Sequence, residues 1–436
     1  MAASPPPILR LPDELLIEIA AANPQNSLTP DHPSEWVLSH VCRRFRRAVT
    51  SVATLWTRVA LDLCCDASAE VFRLYLERSS ACTIEVILHA MHDAELESPK
   101  GLHYLRPHIT RIARLTIVVD CADSHEALDT ILTSFRNVVM PSLEYLEIKN
   151  SSDREIDILD LSPLETPNIT SLKMTYCTPS FPPPPWMVPI AHLHLSGNTY
   201  PAGGNSDIFR FIITQHPSLV YLYLDVSALT FGLGNGIVSR SLTHLDLEFD
   251  ESDTDGLSRE LASFDTPNLT HLSLHFAHGD QLAFLFDSIK PASRLAFPAV
   301  TSLTLANADR TQCHCEVDQL FRDEYKSITA PPLRLFPVMS SLTLIRECFT
   351  PRIVSDLLGP GSQPWPQLEI LALKPMAADE QNLYATLRDV VRWKQSQQEP
   401  LPTFKLSPDL FARDFWAENG VVVELLEEHG MVDSVF

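Results

Sequence analysis

The sequence lacks any long hydrophobic run. No eighteen consecutive apolar residues occur in its 436 residues, so a membrane-spanning helix is not expected. The opening segment, MAASPPPILRLP, has no apolar core of the kind that a signal peptide needs. The nine cysteines are odd in number, scattered and set among apolar residues, which is typical of a reduced compartment. We therefore expect a protein of the cytoplasm or nucleus that is not secreted and makes no membrane contact.

Positive charge is also scarce. The chain has 33 Lys and Arg against 55 Asp and Glu, a formal net charge of -22. Residues 1–63 hold six Arg and six acidic residues, so the whole acidic excess lies in the rest of the chain. Because phosphate binding needs a basic surface, nucleic acid is not expected as a partner.

Motifs that mark catalytic or metal sites are absent or incomplete. No G-x-S-x-G, H-E-x-x-H or G-K-S/T string occurs. Cys313, His314 and Cys315 have no second ligand pair at the spacing of a tetrahedral zinc site. The acidic segment 251–256 would place Ala262 where a calcium loop needs a carboxylate. We expect no catalytic residue, no metal and no cofactor.

What the sequence does contain is a repeat. Each copy reads Pro or Ser, an apolar residue, two polar residues and a Leu-x-Leu-like pair, as in PSLEYLEI from Pro141 and PNLTHLSL from Pro267. Successive copies are 21 to 39 residues apart, and a weaker copy spans 112–117. This period with an L-x-x-L-x-L core is typical of stacked repeat units. The first leucine of each pair is Leu146, Leu172, Leu193, Leu222, Leu245, Leu272, Leu303, Leu342 or Leu371.

The repeat predicts an α/β solenoid over residues 64–406. Leucines two apart point to one side of an extended chain, so each copy is a short strand with one buried face. Such strands bury their leucines by stacking into a parallel sheet, with helices or loops such as 207–215 and 280–289 on the outer side. The pattern resembles the leucine-rich-repeat family, although the Asn or Cys that usually follows the last leucine is absent. A helix is expected within 383–393, a strand over 403–406 and a helical cap over 407–436.

Residues 8–63 show a different pattern, which predicts a small all-α domain. Apolar residues recur at helical spacing, first from Leu11 to Ile19 and then from Val37 to Val49. The strings LPDELLIEI, LSHVCRRFRRAV and LW resemble an F-box, in the form common in fungal proteins that carry repeats behind it. Ala20 and Phe45 depart from the larger apolar residue and the Trp that are commoner in that family.

The resemblance implies a non-catalytic adaptor of a cullin-type (SCF) ubiquitin ligase. The repeats would then bind an unknown protein substrate, and the F-box would bind a Skp-type adaptor and, through it, a cullin. Three alternatives stay open: an N-terminal cap of the solenoid, an interaction scaffold with a degenerate F-box, and an enzyme with its site in the solenoid concavity. The residues implied to enter the adaptor are Leu11, Pro12, Leu15, Leu16 and Ile19, with Leu38, Val41 and Phe45 supporting them.

The repeats also predict a substrate-binding face. If the leucines point inward, the residues before, between and after each pair line the opposite, solvated face of the sheet. Tyr, His and acidic side chains there suit an interface better than Ser or Ala. The acidic residues suggest a substrate segment bearing Lys or Arg, captured more weakly as the histidines protonate below about pH 6.5. The positions are His192, His194, Tyr221, Tyr223, Asp225, His244, Asp246, Glu248, His271 and His275.

Overall fold

The computed structural model describes most of the chain in fifteen segments. The chain divides into two compact units, Met1–Ile190 and Ala191–Phe436. The described residues are 11–21, 34–91, 99–120, 124–150, 157–179, 184–197, 216–225, 237–249, 264–276, 297–307, 335–345, 350–360, 367–374, 380–411 and 414–426.

The first unit begins with three short helices, in the segment where the helical spacing of apolar residues predicts helix. They are α1 (Asp13–Ala21), α2 (Ser34–Val41) and α3 (Arg43–Thr50), and a 3-10 turn (Ala53–Trp56) follows. The buried Trp56 donates its indole N–H to the Val49 carbonyl at 3.0 Å, and its ring meets Tyr75 edge-on at 4.8 Å. This indole therefore links α3 to the next helix, α4 (Asp66–Arg78).

Five parallel strands form the main sheet of the first unit. In chain order the strands are β1 (Arg58–Asp62), β2 (Ile84–Met91), β3 (Ile112–Asp120), β4 (Val138–Val139), β5 (Tyr145–Asn150), β6 (Asp157–Leu159), β7 (Leu164–Glu165), β8 (Ser171–Thr175) and β9 (Cys177–Pro179). The sheet order is β1-β2-β3-β5-β8, while β4 pairs with β7 and β6 with β9. A 3-10 segment (Leu102–Arg111), α5 (Ser124–Ser134) and a 3-10 turn (Pro185–Met187) complete the unit.

The second unit continues the same design with nine parallel strands in its main sheet. Its strands are β10 (His192–Ser196), β11 (Tyr221–Asp225), β12 (Ile237–Val238), β13 (His244–Phe249), β14 (Phe264–Asp265), β15 (His271–Phe276), β16 (Ser302–Asn307), β17 (Ser341–Ile345), β18 (Ile370–Lys374), β19 (Thr403–Leu406) and β20 (Val423–Leu425). The order is β10-β11-β13-β15-β16-β17-β18-β19-β20, and β12 pairs separately with β14. Its described helices are α6 (Thr350–Leu358), α7 (Glu380–Gln397), α8 (Pro408–Phe411) and α9 (Phe415–Glu418).

The repeat leucines lie in register, leucine beside leucine. Leu146 pairs with Leu172 in the first unit, and Leu193 pairs with Leu222 and onward, repeat by repeat, to Leu371 in the second. All nine are at most 1% exposed. The prediction of a stacked, parallel α/β repeat with inward leucines is therefore confirmed, as are the helix within 383–393 and the strand over 403–406.

The proline that opens most copies lies in a tight turn just before its strand. The amide of Leu219 donates to the His216 carbonyl at 3.0 Å, and that of Leu269 to the Thr266 carbonyl at 3.1 Å. Each proline is thus the second residue of a four-residue β-turn, where its fixed φ is favourable and no amide is required. The sequence therefore encodes the start of each strand as well as its core.

Two predicted boundaries shift in the structure. β1, within the predicted all-α residues 8–63, pairs in parallel with β2, and β20, within the predicted helical cap 407–436, pairs with β19. β1 and β2 were missed because they lack the repeat motif, although the buried residues of β1, Val59 and Leu61, alternate with partly exposed neighbours. The predicted helices over 207–215 and 280–289, the Cys313–Cys315 cluster and the acidic segment 251–256 lie outside the described residues.

Candidate functional site

Four large apolar side chains on α1 and α2 are exposed to solvent. Their exposed fractions are 48% for Leu15, 44% for Ile19, 47% for Val37 and 59% for Val41. The members of each pair are four residues apart, so they share one side of their helix. Pro12, just before α1, is exposed as well. We call these five residues the head surface.

The opposite sides of these helices form a core of their own. Leu16 is fully buried and Phe45 is 1% exposed, while Leu11 and Leu38 are half-buried. The expectation that Leu16 enters an adaptor is corrected: it is covered by its own chain, because α1 and α2 each pack against α3. Phe45, which was expected only to support the contact, is buried as well. Of the predicted adaptor contacts, Pro12, Leu15, Ile19 and Val41 keep an open surface.

Arg44 fixes the start of α1 against α3. Its guanidinium donates to the Leu11 carbonyl at 2.5 Å and lies 2.8 Å from the Asp13 carboxylate. Arg46 similarly joins α3 to α2 by donating a hydrogen bond to the Ser39 carbonyl at 2.9 Å. The Arg-rich run of α3 therefore positions the segment that carries Leu11 and Pro12, a role that the sequence alone did not reveal.

The predicted substrate residues do come together on one face of the second unit's sheet. His192 pairs in register with Tyr221, Tyr221 with His244, and His244 with His271. Two residues further along each strand, His194 lies beside Tyr223, and Tyr223 lies beside Asp246. We call this set the ring face, and it comprises His192, His194, Tyr221, Tyr223, Asp225, His244, Asp246, Glu248, His271 and His275.

The rings of this face pack on one another. His194 and Tyr223 stack with centroids 3.9 Å apart and an interplanar angle of 8°, and His244 and His271 stack at 4.1 Å and 8°. His194, Tyr221 and Tyr223 are consequently at most 6% exposed. The expectation of a fully solvated face is wrong for these three, because adjacent strands bring ring beside ring and each covers the next.

Carboxylates accept the tyrosine hydroxyls diagonally across the sheet. Tyr221 donates to Asp246 at 2.6 Å, and Tyr223 donates to Glu248. Burial, the neighbouring carboxylate charge and these hydrogen bonds raise the pKa of both tyrosines far above the usual range. Asp225 accepts the Gly197 amide at 2.8 Å. These hydrogen bonds therefore fix the positions of the three carboxylates.

The pKa of three ring-face histidines is lowered, which favours their neutral form. Burial lowers the pKa of His192, His244 and His271, and for His244 the neighbouring His271 adds to the decrease. The Nδ1 atoms of His244 and His271 lie 2.8 and 2.9 Å from the hydroxyls of Thr243 and Thr270. These threonines, which the sequence pattern did not single out, orient the two stacked rings.

Other site types find no support among the described residues. In those segments no group of three or more His, Cys, Asp and Glu is arranged to hold a metal ion. No described helix is both long and apolar enough to cross a membrane.

No protein-family model matches this chain, and no curated protein matches it either.

Sequence reasoning missed two parts of these surfaces. Val37 is as exposed as Leu15, yet only its helical spacing to Val41 pointed to it. Thr243 and Thr270 occupy the same place in their repeats, immediately before a histidine that starts a strand. A comparison of equivalent positions between repeats could have found both threonines.

Proposed function

We propose that this chain is a non-catalytic adaptor that holds a protein substrate on its repeats and a Skp-type subunit of a cullin ubiquitin ligase on its head. The observation that best supports this proposal is the exposed apolar head surface. Of the twelve exposed large apolar side chains among the described residues, four lie within residues 15–41. Water-exposed apolar side chains at helical spacing suit docking on a second protein.

The division of the head into two faces supports this proposal over a simple cap. A cap needs only the inner face, where Leu16, Phe45 and Trp56 are buried. It does not need exposed apolar side chains at Leu15 and Val41. Both roles are compatible, since one face of α1 completes the core while the other remains available to a partner.

The function follows from proximity rather than from chemistry on this chain. Holding a substrate lysine near a charged conjugating enzyme turns a two-body encounter into an effectively intramolecular one.

The test is a double substitution on the head surface, Leu15→Ser with Ile19→Ser. Both side chains are nearly half exposed, so the fold should survive, while affinity for a purified Skp-type adaptor should fall at least about ten-fold, as for truncated interface anchors. The matched control is Val139→Ser with Val188→Ser, which removes two similarly exposed apolar side chains elsewhere in the first unit.

The outcomes separate the alternatives. Weakened binding by the head variant with unchanged binding by the control supports the adaptor. Equal binding by parent and head variant contradicts the role of this surface. If the folded parent does not bind the Skp-type protein at all, the scaffold with a degenerate F-box becomes the better description.

A further inference from the structure

The ring face carries negative charge without any cation of its own. The face positions of β10, β11, β13, β15 and β16 that the structure describes include Asp225, Asp246 and Glu248, and none of them is Lys or Arg. Asp246 accepts a hydrogen bond from Tyr221, and Glu248 accepts one from Tyr223. An ionised carboxylate can accept several hydrogen bonds, and both side chains are partly exposed, so they can accept further donors from a partner.

The carboxylates are flanked by flat rings. His244 lies two residues before Asp246 on the same strand, and its ring stacks on that of His271. Tyr223 and His194 stack on each other and are at most 6% exposed, so His244 and His271 are the rings that a partner can reach. Planar neutral rings next to fixed carboxylates favour a guanidinium, which can stack on a ring while its fork of donors reaches a carboxylate. An ammonium group is a compact, strongly hydrated point charge, so it stacks less favourably on a ring and depends mainly on the carboxylates.

We infer that the ring face binds an extended, arginine-bearing segment of a partner protein in preference to a lysine-bearing one. Calling this partner the substrate rests on the proposed function; the binding itself depends only on the ring face. The occupant follows from charge complementarity and ring geometry together. The lowered pKa of His192, His244 and His271 agrees with this choice, because neutral rings do not repel a guanidinium.

The probes are two fluorescein-labelled peptides, Gly-Ser-Arg repeated four times and Gly-Ser-Lys repeated four times. Each is titrated with the full chain at about 0.15 M salt, where non-specific attraction is partly screened, and binding is followed by fluorescence anisotropy. We expect saturable binding, with the arginine peptide about five-fold tighter than the lysine peptide.

The decisive variant neutralises the face while keeping its shape. Asp225→Asn, Asp246→Asn and Glu248→Gln retain oxygens that can accept from Gly197, Tyr221 and Tyr223. This triple variant should bind the arginine peptide about ten-fold more weakly. The matched control makes the same change in net charge at exposed positions of the second unit: Glu369→Gln, Asp414→Asn and Glu418→Gln. It should bind within about two-fold of the parent.

A second variant isolates the rings. His244→Ala with His271→Ala should reduce the preference for arginine while leaving the affinity for the lysine peptide nearly unchanged. Equal weakening by the face and control triple variants would show bulk charge attraction and would overturn the inference. Equal affinity of the parent for both peptides would also overturn it, and so would an absence of saturable binding. None of these readouts involves the Skp-type adaptor, so failure here and failure of the proposed function are distinguishable.

Discussion

Single residues of the ring face show how packing sets protonation. His244 and His271 lie near Asp246, whose charge alone would favour the imidazolium. Burial outweighs that attraction, so the pKa of each histidine falls below its ordinary value. The rings are partly covered because each repeat places a ring beside the ring of its neighbour. Local stacking therefore decides the charge of the surface.

This shift predicts that stability depends on pH. A histidine whose folded pKa is lowered binds protons less readily than in the unfolded chain, so stability is lost as the pH falls below about 6.5. We expect His244→Gln with His271→Gln to lose less stability than the parent between about pH 7.5 and pH 5.5, measured as the thermal unfolding midpoint by circular dichroism. The exposed His103→Gln is the control. A parental pH profile in the double variant would show that these rings do not contribute.

At the scale of elements, the head is three short helices that need mutual support. Helices of eight or nine residues are marginal alone, so packing on α3 and the ties made by Arg44 hold α1 in place. The Arg44–Asp13 pair is partly exposed and therefore contributes little by itself. The hydrogen bond to the Leu11 carbonyl is the more specific contact, since it fixes the backbone next to Pro12.

Arg44→Ala should consequently loosen α1 without unfolding the repeats. We expect a cost of about 1 kcal/mol, the usual contribution of such a bond, and faster hydrogen exchange over residues 11–21 than in the parent. Adaptor binding should weaken in parallel. Arg43→Ala, at an exposed neighbouring position, should leave exchange in this segment unchanged; an equal effect of both variants would argue for a general charge effect instead.

Across the whole molecule, stability comes from the in-register leucine columns of each unit. A strand of five residues such as β11 has no independent stability, and its leucines are buried only because the next repeats cover them. In such stacks each repeat depends on its immediate neighbours. Damage to one leucine should therefore reach the adjacent repeats.

Leu222→Asp tests this dependence. It would bury an unpaired carboxylate in place of a fully buried leucine, at a cost on the order of 4 kcal/mol, and hydrogen exchange should increase in β10 and β13 as well as in β11. Val220→Asp introduces the same charge two residues earlier, at a position that is 36% exposed, and should be tolerated. A Leu222→Asp variant that melted within a few degrees of the parent would contradict the inward assignment.

The sequence alone determined the repeat architecture, because both of its signals are local. Leucine pairs at period two define the buried side of a strand, and Pro-x-apolar defines the turn before it; both were found as predicted at Leu222 and Leu272. Positions of the ring-face residues followed from the same alternation. β1, β2 and β20, which lack the motif, did not follow from it.

Only the tertiary structure decided which of the predicted site residues have an open surface. Helical spacing placed Leu15 and Leu16 in one apolar group, but the packing of α1 on α3 buries Leu16 and leaves Leu15 exposed. Likewise, alternation put Tyr221 and Tyr223 on the outward face, yet ring stacking and the bonds to Asp246 and Glu248 cover them. Contacts between segments distant in sequence set burial, and a pattern within one segment does not contain them.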